Sequence, residues 1–194
     1  MRKQVEFFFD VGSPTAYLAW TQLPSIARDS GTEIIWKPVL LGGIFKATGN
    51  QSPVMIAAKG RYMTQDLQRF ARRYGVTLNF NPFFPINTLA LMRGAVGLQD
   101  TPHFHPYLEA VFNAIWVNPL NMGDPDTVAN VLTGAGIDPE DFRARIEDDT
   151  VKARLKANTE EAIQRGAFGA PTFFIGDDMF FGQDRLDFVA DALR

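Results

Sequence analysis

A serine near the start of the chain lies where a buried strand is predicted to pass into a helix. Residues 5–9 are β-branched or aromatic apart from Glu6, which predicts a buried strand. Asp10–Gly12 indicate a turn, and Ser13 before Pro14 is typical of an N-cap followed by the first helical residue. A hydroxyl there lies beside free N–H groups and the helix dipole, which stabilise an anion. By itself this pattern favours a simple helix cap over a catalytic group.

The chain has no cysteine, which excludes disulfides, cysteine-ligated zinc and thiol chemistry by the protein itself. Its two histidines, His103 and His105, lie in one proline-flanked segment, and the next carboxylate in sequence is Glu109. We interpret this segment as a surface loop or helix start and predict no metal site. A Ser-His-Asp hydrolase is disfavoured as well, because no Gly-x-Ser-x-Gly motif accompanies the histidines.

The composition is that of an ordinary soluble globular protein, with 194 residues, 46% hydrophobic, 21% charged and a net charge of −3. No dense Lys/Arg block supports nucleic-acid binding, and no apolar run approaches the roughly 20 residues that span a bilayer. Glu6 and Asp10 interrupt the start of the chain, which disfavours a secretory signal. We therefore expect a cytoplasmic protein with neither nucleic-acid nor membrane partners.

The first part of the chain predicts a βαβ unit. A helix follows from Pro14 to about Arg28, and residues 32–41 predict a second strand. Two strands joined by one helix within about 40 residues should be parallel neighbours with a right-handed crossover.

The middle part, residues 43–149, predicts an all-α insertion without a convincing strand. Its periodicity predicts helices over 61–74, 88–98 and about 104–117. Asp124 and Asp138 each precede a proline, which indicates two further helix starts.

The last part returns to an α/β pattern. Thr150 is predicted to cap a helix over 151–165, and residues 172–175 and 179–181 predict an antiparallel hairpin before a helix over 185–193. The complete order predicts an α/β fold in which residues 1–42 and 150–194 form a discontinuous thioredoxin-like βαβ…αββα sheet domain.

This architecture suggests a second role for Ser13. In thioredoxin-like proteins the reactive thiol lies at the start of the helix after the first strand, where the helix dipole favours the thiolate. Here Gly12–Thr15 occupies that place without a cysteine. A cis proline is expected just before the third strand, facing the active site, and Ala170–Pro171 has that position.

Four segments, in the same order and over nearly the whole length, carry a family resemblance: 8–14, 49–63, 166–171 and 181–185. The chain resembles 2-hydroxychromene-2-carboxylate isomerases and the related kappa-class glutathione transferases. The resemblance implies glutathione as cofactor, with Ser13 as the catalytic residue that hydrogen-bonds its sulfur. It also implies a homodimer.

The resemblance implies six further glutathione-binding residues: Asn50, Lys59, Ala170, Pro171, Asp184 and Arg185. The Ala170 backbone would pair with the cysteinyl residue, and Asp184 with Arg185 would hold the γ-glutamyl end. Asn50 and Lys59 would come from the insertion, Lys59 as a cation for a carboxylate. Without the resemblance, Lys59 is more simply a solvated surface lysine.

For an isomerase of this family, the thiolate adds to a small aromatic anionic substrate and leaves again after bond rotation. This converts 2-hydroxychromene-2-carboxylate to trans-o-hydroxybenzylidenepyruvate in the degradation of aromatic hydrocarbons. Residues 80–84, with Tyr62 or Trp116, would supply an apolar wall, although core packing is the default for each aromatic. Asn87 either faces the cleft or precedes a helix. The alternatives are a kappa-type transferase or peroxidase, and a glutathione-binding protein of the thioredoxin fold without turnover.

Overall fold

The computed structural model of the protein describes residues 3–194. Met1 and Arg2, which begin the predicted sheet domain, lie outside the described residues. The described residues form one four-stranded sheet, nine α-helices and two short 3₁₀ turns. In chain order the elements are β1 (Gln4–Phe9), α1 (Pro14–Ser30), β2 (Glu33–Pro38), α2 (Leu41–Thr48), a 3₁₀ turn (Pro53–Met55), α3 (Ala57–Tyr74), α4 (Leu89–Leu98), α5 (Phe104–Trp116), α6 (Pro125–Gly134), α7 (Pro139–Glu147), α8 (Asp149–Gln164), β3 (Thr172–Ile175), β4 (Asp178–Phe181), a 3₁₀ turn (Gln183–Arg185) and α9 (Leu186–Ala192).

The sheet has the strand order β2-β1-β3-β4. Strand β1 is parallel to β2 and antiparallel to β3, and β4 pairs antiparallel with β3. The predicted thioredoxin-like α/β fold is therefore confirmed, with the helical insertion between β2 and β3.

The central strand β1 buries side chains on both of its faces. Phe7 and Phe9 face the larger core, where Phe7 stacks on Phe173 with ring centroids 5.3 Å apart. Phe8 faces a smaller core that it shares with Phe174 and with residues of α2 and α8. Burial on both faces explains why β1 is nearly continuously apolar in sequence.

The insertion packs on the larger core together with the sheet. Phe112 of α5 lies beside Phe9 of β1, with ring centroids 6.4 Å apart, and Trp116 is fully buried in the same cluster. Sheet and helices thus share one continuous core. The division into a sheet domain (residues 1–42 and 150–194) and a helical insertion (residues 43–149) stays a prediction.

The predicted end of the second strand is wrong. Strand β2 ends at Pro38, and the apolar residues that follow lead into helix α2. Leu40 donates its N–H to Thr159 Oγ1 at 3.0 Å, and Leu41 donates its N–H to Asp10 Oδ2 at 2.8 Å. These side-chain acceptors replace the strand ladder and allow α2 to start.

Three helix starts also differ from the sequence prediction. Helix α3 begins at Ala57, before the predicted Arg61. Asp148, and not Thr150, caps α8, because its Oδ1 accepts the N–H of Thr150 at 2.7 Å. Residues 183–185 form a 3₁₀ turn ahead of α9. The predicted aspartate caps of α6 and α7 are confirmed.

Across residues 3–194, each helix is too short or too polar to cross a membrane.

Candidate active site

A cavity of about 540 Å³ lies beside the turn between β1 and α1. Its other walls come from the start of α2, residues 50–53, the loop before α4, and the segments that flank the β3–β4 hairpin. Of the predicted site residues, Ser13, Asn50, Ala170 and Asp184 line the cavity, whereas Lys59, Pro171 and Arg185 do not. A second, more open groove of about 690 Å³ lies along α1 and β2, and it contains none of these seven residues, all of which the structure describes.

Ser13 has the position that the sequence predicts. It is the N-cap of α1, with extended backbone dihedrals of φ −94° and ψ 119°, and its Oγ accepts the N–H of Ala16 at 3.1 Å. Its own hydroxyl donates to the carbonyl oxygen of Ala170 at 2.9 Å. Ser13 is only 4% exposed, so its hydroxyl lies in a poorly hydrated part of the cavity.

The peptide bond between Ala170 and Pro171 is cis, as predicted. Pro171 uses its carbonyl oxygen to accept the N–H of Gly182 at 3.0 Å. This bond ties the start of β3 to the segment that carries Asp184. A second cis bond, between Phe84 and Pro85, lies in the loop before α4, which also lines the cavity, and was not predicted.

Thr15 is a cavity residue that the sequence analysis missed. Its Oγ1 lies 2.9 Å from Ser13 Oγ and 3.3 Å from the carbonyl oxygen of Ala170. In the sequence it is one residue in the first turn of a helix, and only the proximity of Ala170 reveals a role.

Asp10 was missed as well. Its Oδ1 accepts the N–H of Gly12 at 2.9 Å, and its Oδ2 accepts Leu41 N–H and Thr88 Oγ1 at 2.8 and 3.0 Å. Burial raises the pKa of Asp10 above its usual value, because burial outweighs these three donors, which favour the charged form. The carboxyl group joins the β1–α1 turn to α2 and to the start of α4, so it fixes three walls of the cavity.

Gly12 allows the close approach of the insertion to this turn. A Cβ at this position would lie 2.7 Å from Thr88 Cγ2 and 3.3 Å from Asp10 Oδ1. A side chain at residue 12 would therefore push the start of α4 away from the turn.

Two polar side chains of the cavity, Asn50 and Asp184, belong to the predicted glutathione site. Asn50 donates its side-chain N–H to the carbonyl oxygen of Phe168 at 2.8 Å. Asp184 Oδ2 accepts from Arg185 Nη1 at 2.7 Å, so Arg185 lies behind the carboxylate and outside the cavity. Lys59 is an exposed residue in the first part of α3.

Apolar side chains line much of the rest of the cavity. They include Leu41, Phe45, Met63, Phe84 and Ile86, together with Phe168 and Phe181 near Asn50. Of the predicted aromatic wall, Phe84 lines the cavity, whereas Trp116 is buried in the core and Tyr62 is 62% exposed outside it. Asn87 does not line the cavity. It precedes Thr88, the N-cap of α4, and accepts the N–H of Leu89 at 3.1 Å, so it lies at a helix start and not in the cleft.

Comparisons with known proteins show the family of the chain. The DSBA-like thioredoxin domain family matches residues 4–194. A 2-hydroxychromene-2-carboxylate isomerase from Pseudomonas putida is 32% identical over 97% of this chain and 93% of its own length. Glutathione S-transferase kappa 2 from Caenorhabditis elegans is 31% identical over 99% of this chain and 92% of its own.

A solved structure of a 2-hydroxychromene-2-carboxylate isomerase superimposes with a TM-score of 0.87 at 31% identity, and covers 98% of this chain and 94% of that one. These full-length similarities match the resemblance inferred from the sequence and support an enzyme. The chain belongs to the DSBA-like thioredoxin domain family and, within it, to the group of enzymes that includes 2-hydroxychromene-2-carboxylate isomerases and kappa-class glutathione transferases.

Proposed function

We propose that the protein is a glutathione-dependent isomerase that converts 2-hydroxychromene-2-carboxylate to trans-o-hydroxybenzylidenepyruvate. One observation carries the proposal: the Ser13 hydroxyl lies at the N-terminus of α1, 2.9 Å from the Ala170 carbonyl before a cis proline, in a chain without cysteine. The fold therefore keeps the thiolate-stabilising position while the thiol itself must come from a ligand.

Glutathione fits the part of the cavity beside Asn50 and Asp184. The backbone of Ala170 pairs with the cysteinyl residue as a short antiparallel strand, which directs the sulfur toward Ser13. The Asp184 carboxylate accepts a hydrogen bond from the γ-glutamyl ammonium group, and Asn50 binds a polar group of the ligand. Arg185 supports the Asp184 carboxylate from behind through their 2.7 Å contact. The part of Lys59 as a cation for a ligand carboxylate stays a prediction, as does that of Pro171 in shaping the backbone at Ala170.

The sulfur is then activated by two local effects. A hydrogen bond from Ser13 to the sulfur favours the thiolate, and the positive end of the α1 dipole acts in the same direction. Both lower the thiol pKa from the ordinary value of about 8.5 toward neutral pH. Ser13 is the catalytic residue in this scheme because it contacts the reacting atom.

The aromatic substrate lies among the apolar side chains, between Phe45, Met63 and Phe84. The ring C–O bond of the hemiketal breaks first, and its hydroxyl proton passes to the phenolic oxygen, which leaves a ketone conjugated with a cis double bond. The thiolate adds to this electron-poor double bond, and the electron pair of the double bond moves onto the conjugated carbonyl as an enolate. The former double bond is now single and rotates. The enolate then expels the thiolate and restores the double bond in the trans arrangement, so that glutathione is regenerated and the product is an isomer.

Two measurements test this function. Reduced glutathione at millimolar concentration should raise the melting temperature, since a ligand that binds only the folded state stabilises it by mass action. Conversion of the chromene substrate should require catalytic amounts of glutathione without consuming it. Absence of the shift would exclude a glutathione-dependent function, and conversion that is independent of glutathione would exclude the proposed mechanism.

A kappa-type transferase or peroxidase is the second candidate, favoured by the 31% identity to glutathione S-transferase kappa 2. It differs from the isomerase in one measurable respect, because each turnover consumes glutathione as a released adduct or as its disulfide. The glutathione balance therefore separates the two activities. Size-exclusion chromatography tests the predicted homodimer, and cell fractionation tests the predicted cytoplasmic location.

A further inference from the structure

The carbonyl oxygen of Ala170 accepts hydrogen bonds from two hydroxyl groups of the same helix. Ser13 Oγ lies 2.9 Å and Thr15 Oγ1 lies 3.3 Å from it, and these are its donors among residues 3–194. Ala170 is only 7% exposed, so water is a poor substitute for either donor. Loss of a donor from a buried carbonyl costs free energy, so a second hydroxyl within reach lowers the cost of turning Ser13 away from it.

Ser13 cannot serve this carbonyl and a thiolate at the same time. A serine hydroxyl has a single proton, and the oxygen of Ser13 already accepts the N–H of Ala16 at 3.1 Å. While its proton points at Ala170, Ser13 offers no donor to a sulfur in the cavity. Donation to the sulfur therefore requires that Ser13 release the carbonyl.

Thr15 is placed to make this release possible. Its Oγ1 lies 2.9 Å from Ser13 Oγ, so its proton has two acceptors in reach, the Ser13 oxygen and the Ala170 oxygen. In one arrangement Ser13 donates to Ala170 while Thr15 donates to Ser13. In the other, Thr15 donates to Ala170 and the Ser13 proton is free to point into the cavity.

We propose that Thr15 is a positioning residue that takes over the Ala170 carbonyl when Ser13 turns its proton to the glutathione sulfur. The proposal rests on the proposed function, because it concerns the same thiolate. A carbonyl oxygen has two lone pairs, so the cysteinyl N–H of glutathione occupies one and the Thr15 hydroxyl the other. Thr15 acts through Ser13 and the Ala170 carbonyl and needs no contact with the sulfur.

The local structure gives no other reason for a hydroxyl at residue 15. Thr15 follows Pro14 in the first turn of α1, where the N-cap is already supplied by Ser13. Threonine is also a weaker helix former than alanine. Its two hydroxyl contacts, with Ser13 and Ala170, both point to the proton arrangement described above.

The decisive comparison uses Thr15→Val, which removes the hydroxyl and keeps the shape, and Thr15→Ser, which keeps the hydroxyl. The readout is the absorbance of the thiolate of bound glutathione against pH, with circular dichroism to confirm the fold. Thr15→Val should raise the pKa of the bound thiol by about one unit, corresponding to a tenfold loss of thiolate at a pH below both pKa values. Thr15→Ser should titrate within about 0.3 units of the parent protein. Thr15→Ala repeats the test if the valine variant does not fold.

S-methylglutathione supplies a matched control ligand. It has no ionisable sulfur, so Ser13 can keep its proton on Ala170 and the switch is not needed. Its affinity in Thr15→Val should stay within about twofold of the parent value. An unchanged thiol pKa in Thr15→Val, or an equal loss of affinity for glutathione and S-methylglutathione, would overturn the switch.

The failure of this proposal differs from the failure of the proposed function. If Ser13→Ala shifts the thiol pKa and Thr15→Val does not, glutathione activation by Ser13 stands and only the switch is wrong. If the parent protein binds no glutathione, both proposals are wrong.

Discussion

The indole Nε1 of Trp116 donates a 2.8 Å hydrogen bond to the carbonyl oxygen of Val11. Trp116 ends helix α5 of the insertion, and Val11 belongs to the turn that leads to Ser13. The N–H of the same Val11 donates to the sulfur of Met92 in α4 at 3.3 Å. The insertion thus holds the turn from both sides, and the position of Ser13 depends on helices far from it in sequence.

Trp116→Phe should therefore affect both stability and the site. The substitution keeps most of the buried aromatic surface but leaves the Val11 carbonyl without this donor, which costs about 1–3 kcal/mol. The free energy of unfolding in urea should fall by at least this amount, and glutathione affinity should fall because the turn is less well fixed. Trp20→Phe is the control, since Trp20 is partly exposed on α1. Equal effects of the two substitutions on glutathione affinity would contradict this account.

Asp10 predicts a particular pH dependence of stability. Its pKa is raised by burial, so the folded protein keeps this proton at a pH above the usual 3.8, where the unfolded chain loses it. Over that interval the folded state binds more protons, and the free energy of unfolding falls as the pH rises. In Asp10→Asn this contribution is absent.

Urea unfolding of both proteins from pH 3 upward tests the sign. The parent protein should lose stability relative to Asp10→Asn as the pH rises above about 4. If the parent gains stability over that interval instead, the hydrogen bonds from Gly12, Leu41 and Thr88 outweigh burial and the pKa is lowered.

Ser13→Ala should leave the fold intact apart from a lost helix cap, which costs about 1 kcal/mol. A hydrogen bond to a charged group contributes about 1.5–3 kcal/mol, so the pKa of bound glutathione should rise by about one to two units. Isomerisation by the variant should be much slower than by the parent protein at neutral pH. The difference between the two rates should become smaller at alkaline pH, where glutathione is ionised in both. An unchanged thiol titration together with an unchanged rate would make Ser13 a helix cap only.

Ser13→Cys offers a covalent test of whether residue 13 lies close to the sulfur of bound glutathione. With oxidised glutathione, the new thiolate should attack one sulfur, form a mixed disulfide and release one reduced glutathione. Mass spectrometry should find one added glutathionyl group. Thr21→Cys, on the outer side of α1, is the control for non-specific exchange. Equal labelling of the two variants would argue against a glutathione site at residue 13.

Asp184→Asn should weaken glutathione binding by about 10-fold or more, since a charge-assisted hydrogen bond contributes about 1.5–3 kcal/mol. Asp187→Asn in α9 removes a charge of the same sign outside the cavity and is the matched control. Isothermal titration calorimetry should measure glutathione affinity at two salt concentrations, which separates a direct contact with Asp184 from a general effect of charge. Equal losses in the two variants would place the γ-glutamyl end elsewhere.

The placement of Ser13, Ala170 and Pro171 could be predicted because each follows from a local pattern placed in a known fold. Residues 5–14 contain a strand, a turn and a cap in immediate succession, and a proline directly precedes the third strand. Thr15 and Asp10 could not be predicted, since their local patterns are those of an ordinary helix turn and an ordinary loop. Their roles come from contacts with residues 155 and 78 positions away, namely Ala170 and Thr88.

Helix α2 could not be predicted for the same reason, because contacts with distant residues decide its secondary structure. The short apolar run 39–41 fits the end of a strand or the start of a helix equally well. The side chains of Asp10 and Thr159 decide between them by accepting the N–H groups of Leu41 and Leu40. Both acceptors come from other parts of the chain, so the outcome is tertiary and cannot be read from the run itself.

The pairing of β1 with β3 has a consequence for how the protein is made. Phe7 lies opposite Phe173, so one edge of β1 remains unpaired until nearly the whole chain has left the ribosome. Such long-range pairing is slow to form, and an open apolar strand edge invites association with other chains. Because Ser13 and Ala170 are 157 residues apart, the Ser13 hydroxyl acquires its carbonyl partner only when synthesis is almost complete. Nascent chains released before residue 170 would thus be aggregation-prone and unable to assemble the site.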